Sequence, residues 1–251
     1  MAGHSHWANI AHKKGRIDAK RGKLFGKLSR AIIVAAQTGG GDPAMNLTLR
    51  YAIDKARKAS MPNDNIDRAV KKGCGESGGD QYESLVYEGY GPEGVAILCE
   101  ALTENRNRTG GEIRFLFEKH NGNLGTSGCV AYMFQRKGLF AIAPGNTTEE
   151  LIFDLALDNG ADDVKEIDGG FQITSAFEDF DQLNSALEEA GIKTEISEVT
   201  QIADTEVELN EDAARKVMKL IDALEDNDDV QNVIGNFTIP DDVQEVLNAE
   251  G

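Results

Sequence analysis

Between residues 138 and 203 the sequence alternates short β-prone runs with amphipathic helical runs in the order βαββαβ. The strands read at 138–143, 163–167, 170–175 and 193–202, and the helices at 148–158 and 178–190. "DGG" between the two middle strands is a hairpin signal, because glycine supplies the positive φ that a tight turn demands. The second helix gathers Phe177, Phe180, Leu183 and Leu187 on one face, which needs a sheet to cover. Few architectures accept this order, and a ferredoxin-like domain is the expectation.

The flanking segments carry strands that this domain does not use. Runs at 83–90 ("ESLVYEGY") and 94–102 ("GVAILCEAL") are joined by the turn "GPE". A helix near 108–120 turns Ile113, Leu116 and Phe117 inward, and "CVAYMFQ" at 129–135 reads as a further strand. After residue 203 come a helix at 211–225 and a strand at 229–237 with no partner of their own. They complete the domain begun at residue 82 if 138–203 is an insertion within it. The expected fold is α+β: a helical N-terminal domain (1–75), a discontinuous α/β middle domain (82–137 with 204–251), and the inserted ferredoxin-like third domain (138–203).

The N-terminal part reads as helical. Ile17, Leu24, Leu28, Ile32 and Ala35 recur at helical spacing, and the run stops at "TGGGD". Asp42 is suited to cap the next helix, with Pro43 at its first position, where a missing N–H costs nothing. That helix uses Leu49, Ile53 and Ala56 as its apolar stripe, and "SMPND" breaks it before proline. A third helix, "NIDRAVKKG", ends in two lysines and Gly73, as helix C-termini favour. "GCGESGGDQ" at 73–81 is the linker.

Charge follows these boundaries. The 251-residue chain has 26 Lys and Arg against 43 Asp and Glu, a formal net charge of −17. Residues 1–72 hold 15 bases and 5 acids, a net of +10, which leaves the remainder at −27. Such asymmetry marks a module that meets a polyanion, attached to an acidic body. No run of about 18 apolar residues is present to span a membrane. The first fifteen residues lack the apolar core of a secretory signal, and three scattered cysteines suit a reducing compartment. A cytoplasmic protein is expected.

The positive charge is densest at residues 12–30, "HKKGRIDAKRGKLFGKLSR", where Lys13, Lys14, Arg16, Lys20, Arg21, Lys23, Lys27 and Arg30 face one acid, Asp18. At about 100° per residue, Lys13, Arg16, Lys20, Lys23, Lys27 and Arg30 share an arc of roughly 100°. An apolar stripe lies beside it, so the helix can dock on its own domain and offer the basic face to phosphates. Like charges three and four residues apart repel by a few tenths of a kcal/mol per pair, and tolerating them points to a polyanionic partner. Two alternatives stand beside this: a solvated face, or a stripe paired with the chain's own acidic domains. Residues 1–15 are expected to be mobile without a partner. The turn between the second and third helices loosely suggests a helix-turn-helix that offers Asn63, Asn65, Arg68, Lys71 and Lys72. Trp7 and Tyr51 suit either base stacking or a core.

"LTENRNRTGGE" is the second candidate. Arg106 and Arg108 stand at the start of a helix with Thr109 as a cap, where helix N-termini and guanidinium forks both favour phosphate. The alternative pairs Arg108 with Glu104 or Glu112. His4, His6 and His12 have no CxxC, HxxxH or HExxH partner, "GCGESGG" lacks the GxxxxGKS order of a P-loop, and no nucleophile–base pair stands out. The chain is expected to be no enzyme and to use no cofactor or metal.

"AGHSHWANIAHKKG", "GGGDP", "MPNDNIDRAV", "YEGYGPEGV", "LTENRNRT" and "GNLGTSGCVAYMF" occur in one order from residue 2 to about 138. Together they resemble the YebC/PmpR family, which includes the mitochondrial translational activator of cytochrome oxidase subunit one. His6, Glu104 and Cys129 depart from the family's usual Lys, Asp and Ser. The resemblance implies a helical domain followed by two α/β domains, the third inserted into the second. It implies a DNA-binding transcriptional regulator or, alternatively, a translation factor that contacts ribosomal RNA and relieves stalling at proline-rich sequences. The expected partner is duplex DNA or ribosomal RNA, with the ribosome in the second case and neither a membrane nor a small-molecule substrate in either.

Overall fold

The computed structural model describes residues 21–75, 81–167 and 169–249. Two compact units emerge among them. One comprises the described residues up to Ala131 together with Leu209–Gly235; the other comprises Tyr132–Glu208 and the described residues from Asn236 on.

The first unit opens with three helices, α1 (Arg21–Gly39), α2 (Leu47–Lys58) and α3 (Asn63–Gly73). Leu28, Ile32 and Ala36 of α1 pack with Leu49 and Ile53 of α2 and with Ile66 and Ala69 of α3 in one apolar cluster. Both shorter helices lean on α1 more than on each other. A Cβ at Gly73 would lie 2.6 Å from the Ile33 carbonyl oxygen and from Ala36 Cβ, so glycine is what lets α3 approach α1 closely. The expected cap of α2 is displaced: Asp42 only bridges its own turn by accepting from Ala44 N–H at 2.9 Å, and Asn46 is the N-cap. Asn46 wins because its side chain works in both directions. It accepts from Leu49 N–H (3.0 Å) and donates to the carbonyls of Ala35 and Gly40 (both 2.8 Å), tying the end of α1 to the start of α2.

The same unit contains a sheet whose strands lie in the order Asn123–Leu124 (β3), Glu83–Tyr90 (β1), Ala96–Thr103 (β2) and Val230–Gly235 (β9). Strands β1 (Glu83–Tyr90) and β2 (Ala96–Thr103) pair antiparallel with Tyr90 opposite Ala96. The turn between them places Glu93 at φ 58° and Gly94 at φ 77°. Helix α4 (Arg106–Lys119) follows β2, and the short β3 (Asn123–Leu124) adds to β1. The strand expected at 129–135 forms only at its end, where Phe134 and Gln135 open the strand Phe134–Ile142. Glu88 is nearly fully buried, and its carboxylate accepts from the N–H groups of Gly128 (2.6 Å), Val130 (2.9 Å) and Ala131 (2.8 Å). Those amides are therefore spent on a side chain rather than on a ladder, and Ala131–Met133 is a 3₁₀ turn. Burial raises the Glu88 pKa, but the three amides outweigh it and leave the group more acidic than an ordinary glutamate.

In the second unit β4 (Phe134–Ile142), α5 (Glu149–Asp158), β5 (Ala161–Ile167), β6 (Gly170–Ala176), α6 (Phe180–Glu189) and β7 (Thr194–Ala203) follow in that order. Their sheet runs β5-β6-β4-β7 with every neighbour antiparallel, the ferredoxin-like arrangement. The Phe140 and Phe180 rings stack at 4.9 Å. A Cβ at Gly138 would lie 2.8 Å from the Phe180 ring, so this strand position is left bare for α6.

The chain then passes through β8 (Val207–Glu208) to α7 (Glu211–Glu225) of the first unit. β9 (Val230–Gly235) lies antiparallel on β2, the partner that the lone strand at 229–237 needed. β10 (Phe237–Thr238) pairs with β8, and a helix that sequence reading did not expect, α8 (Asp241–Ala249), ends the described chain. Residues 236–249 thus fall in the unit with the ferredoxin-like sheet, whereas sequence reading placed them in the middle domain. No helix among the described residues is long and apolar enough to cross a membrane.

Candidate nucleic-acid interface

Lys23, Lys27 and Arg30 stand four and three residues apart on α1, so they share one face, away from the buried Leu28 and Ile32. That face is not vacant. It meets the C-terminal turn of α7 and the acidic segment that follows, Glu225–Asp229. Lys23 Nζ donates to the Asp226 carbonyl at 3.0 Å and lies 3.8 Å from the Asp228 carboxylate. Lys27 Nζ donates to the Glu225 carbonyl at 2.6 Å, and Arg30 donates to the Asp228 carbonyl. The reason lies in α7, which has no basic residue in its last turn. Its terminal carbonyls need donors and its dipole needs positive charge, and α1 supplies both from across the unit. Burial lowers the Lys27 pKa, and the Glu225 carboxylate acts against that shift.

The expectation of an open basic face is therefore corrected for Lys23, Lys27 and Arg30: the chain's own acidic segment engages them. Lys13, Lys14, Arg16 and Lys20, with Trp7 and the mobile tail expected over 1–15, lie outside the described residues, as does the side chain of Arg21.

The second candidate is also engaged. Arg108 reaches Asp229 Oδ2 at 2.7 Å and Glu104 at 3.5 Å, whereas Arg106 is exposed at the first position of α4. The cap of α4 is Asn105, accepting from Arg108 N–H at 3.1 Å, and not the expected Thr109. Thr109 instead turns inward and donates to Asp229 Oδ2 at 2.7 Å, beside Thr103 at 3.1 Å. Burial raises the Asp229 pKa, yet bonds from Thr109, Arg108 and Thr103 prevail and hold it below the ordinary aspartate value. Lys23, Arg30, Arg108, Glu104, Glu112 and Asp226–Asp229 together line a polar cleft of about 430 Å³. Its charges answer one another, so it is no anion cradle as it stands.

The bundle carries further cations. Residues 47–73 hold seven bases and three acids. Arg50, Lys55, Arg57 and Lys58 are exposed on α2, and Arg68 and Lys71 on α3. Arg57 lies 3.6 Å from Asp54. A groove of about 220 Å³ between α1 and α3 is lined by Ser29, Ile33, Asn65, Arg68, Ala69 and Lys72. Arg68 donates to the Asp64 carbonyl (3.1 Å) and to the Asn65 side chain, which holds its guanidinium along α3. Sequence reading raised Asn65, Arg68 and Lys72 only through a loose suggestion of a helix-turn-helix. What brings them together is the α1–α3 packing. Tyr51 is half-buried in α2.

Comparison with known proteins covers nearly the whole chain. Residues 5–76 match the family model described as the TACO1/YebC protein N-terminal domain, and residues 82–237 match the TACO1/YebC second and third domain. A relative from Rhodopirellula baltica named probable transcriptional regulatory protein is 56% identical over 241 residues, 96% of this chain and 98% of that one. The transcriptional regulatory protein PmpR of Pseudomonas aeruginosa is 54% identical over 248 residues, 98% of this chain and 100% of its own. The crystal structure of a hypothetical protein from Aquifex aeolicus superposes with a TM-score of 0.84 at 48% identity, over 94% of this chain and 98% of that one.

Proposed function

The chain belongs to the TACO1/YebC family, and from that premise we propose that it is a nucleic-acid-binding regulator of gene expression, acting in the cytoplasm by binding rather than by catalysis. The observation that carries this reading is the partition of charge: +10 over residues 1–72 against −27 over the rest. Within the described bundle the cations of α2 and α3 stand outward, where phosphates can reach them. The names of the relatives, transcriptional regulatory proteins, support the same reading. Residues 12–21, the α1–α3 groove and Arg106 are the proposed contact residues. Contacts of this type give affinity and position without reading base sequence.

The target is duplex DNA in the transcriptional reading and ribosomal RNA in the translational one. The acidic remainder supports the second. A long duplex lying along the molecule meets repulsion from that −27, whereas a target entered only by the basic end does not. Crosslinking in cells followed by sequencing of the attached nucleic acid separates the two. Recovery of defined operators sinks the ribosomal reading, recovery of ribosomal RNA sinks the promoter reading, and recovery of neither removes nucleic acid from the function.

A further inference from the structure

The acidic segment Glu225–Asp229 meets the basic helix in the manner of a ligand. Four of its five residues are acids; its backbone carbonyls accept from Lys23, Lys27 and Arg30, and the Asp228 and Asp229 carboxylates lie 3.8 Å from Lys23 and 4.0 Å from Arg30. From Lys23 to Arg30 there are seven steps along α1, about 10 Å of helix. One strand of a duplex sets a phosphate about every 3.4 Å of axis, so the row is as long as roughly three phosphates. We propose that Glu225–Asp229 is an internal anion that occupies the Lys23–Lys27–Arg30 face of α1, and that a nucleic-acid strand gains this face only by displacing it. The inference rests on the nucleic-acid reading above and adds its regulation.

The two ends of the segment are held differently. Asp229 is anchored by Thr103, Thr109 and Arg108, and its side chain is 7% exposed. The lip before it is held by hydrogen bonds from the three cations to its carbonyls, while its carboxylate contact is loose. Lys23 and Asp228 are 49% and 64% exposed at 3.8 Å, a separation and exposure at which ion pairs stabilise little. A polyanion that offers several phosphates at once outcompetes contacts of this kind, while Asp229 stays as the pivot. Lys27 gains most from the exchange. It is now half-buried against the Glu225 carbonyl and regains water and a full counter-charge when the lip leaves.

The test is equilibrium binding of a labelled oligouridylate and of a labelled mixed-sequence DNA duplex to the full chain at low salt. The triple variant Glu225→Gln, Asp226→Asn, Asp228→Asn is compared with wild type and with the control Glu149→Gln, Glu150→Gln, Asp154→Asn, which changes net charge equally on the exposed face of α5. The lip variant binds about three- to tenfold tighter, the range expected for loosening weak exposed ion pairs, and the control stays at the wild-type value. Hydrogen exchange of the 225–229 amides accelerates when either probe is added to wild type. Equal affinity of the lip variant and wild type, or an equal gain in the control, overturns the proposal while leaving nucleic-acid binding intact. So does binding without faster exchange. Absence of binding by all three proteins overturns the nucleic-acid reading itself, and the competition falls with it.

Discussion

Thr109 and Asp229 are 120 residues apart in sequence, and a 2.7 Å hydrogen bond from the threonine hydroxyl to Asp229 Oδ2 joins the first turn of α4 to the segment leaving α7. Thr103 and Arg108 converge on the same oxygen, and the Asp229 carbonyl accepts from Leu102 N–H at 2.8 Å. One buried carboxylate therefore holds the end of β2, the start of α4 and the entry to β9.

Asp229→Asn keeps the shape and removes the charge that three donors address. A loss of about 2 kcal/mol is expected, seen as a lower denaturant midpoint at unchanged slope. The pH dependence follows from the lowered pKa. A carboxylate more acidic in the folded state contributes stability that is complete above its unfolded value, about pH 4, and disappears as pH falls through the folded value. Wild type should lose this increment on acidification, and Asp229→Asn should lack that part of the slope.

Glu88→Gln tests the clamp on residues 128–131. The amide retains one acceptor oxygen but turns an NH₂ group toward backbone N–H donors. Destabilisation of about 2 kcal/mol is expected, with faster hydrogen exchange at Gly128, Val130 and Ala131 while the β1–β2 amides remain protected.

Gly73→Ala probes the crossing of α1 and α3. The added methyl meets a backbone carbonyl, which yields less readily than a side chain, so about 1–3 kcal/mol of strain is expected by thermal or denaturant unfolding. A stability equal to wild type would show that the two helices part freely.

Arg68→Ala with Lys71→Ala tests the exposed cations of α3. If the chain neutralises about six phosphates, affinity falls roughly 10³-fold or more between 50 and 200 mM salt. Removing two contacts should weaken binding to every sequence alike and make the log–log salt slope shallower by about 2.

The fold was legible wherever one periodicity held over a whole element. The helix over 211–225 coincides with Glu211–Glu225, and the βαββαβ order yields the sheet β5-β6-β4-β7. Elements decided by a distant side chain were not legible. "CVAYMFQ" has the composition of a strand, but Glu88, some forty residues away, takes its Val130 and Ala131 amides. Asp42 is as good a cap as Asn46 until Asn46 is seen to hold the end of α1 as well. The candidate interface shows the same limit. Spacing placed Lys23, Lys27 and Arg30 on one face, and it left open whether phosphate or the chain's own acids would meet them. The missing fact was that α7 ends beside that face, about 200 residues later, with no base in its last turn.

That sequence separation matters during synthesis. The cationic helix leaves the ribosome tunnel long before the acids at 225–229 are translated, and the sheet begun by β1 and β2 lacks β9 for the same interval. Until the acids at 225–229 are made, the nascent chain carries its positive helix uncovered beside a surface made of RNA.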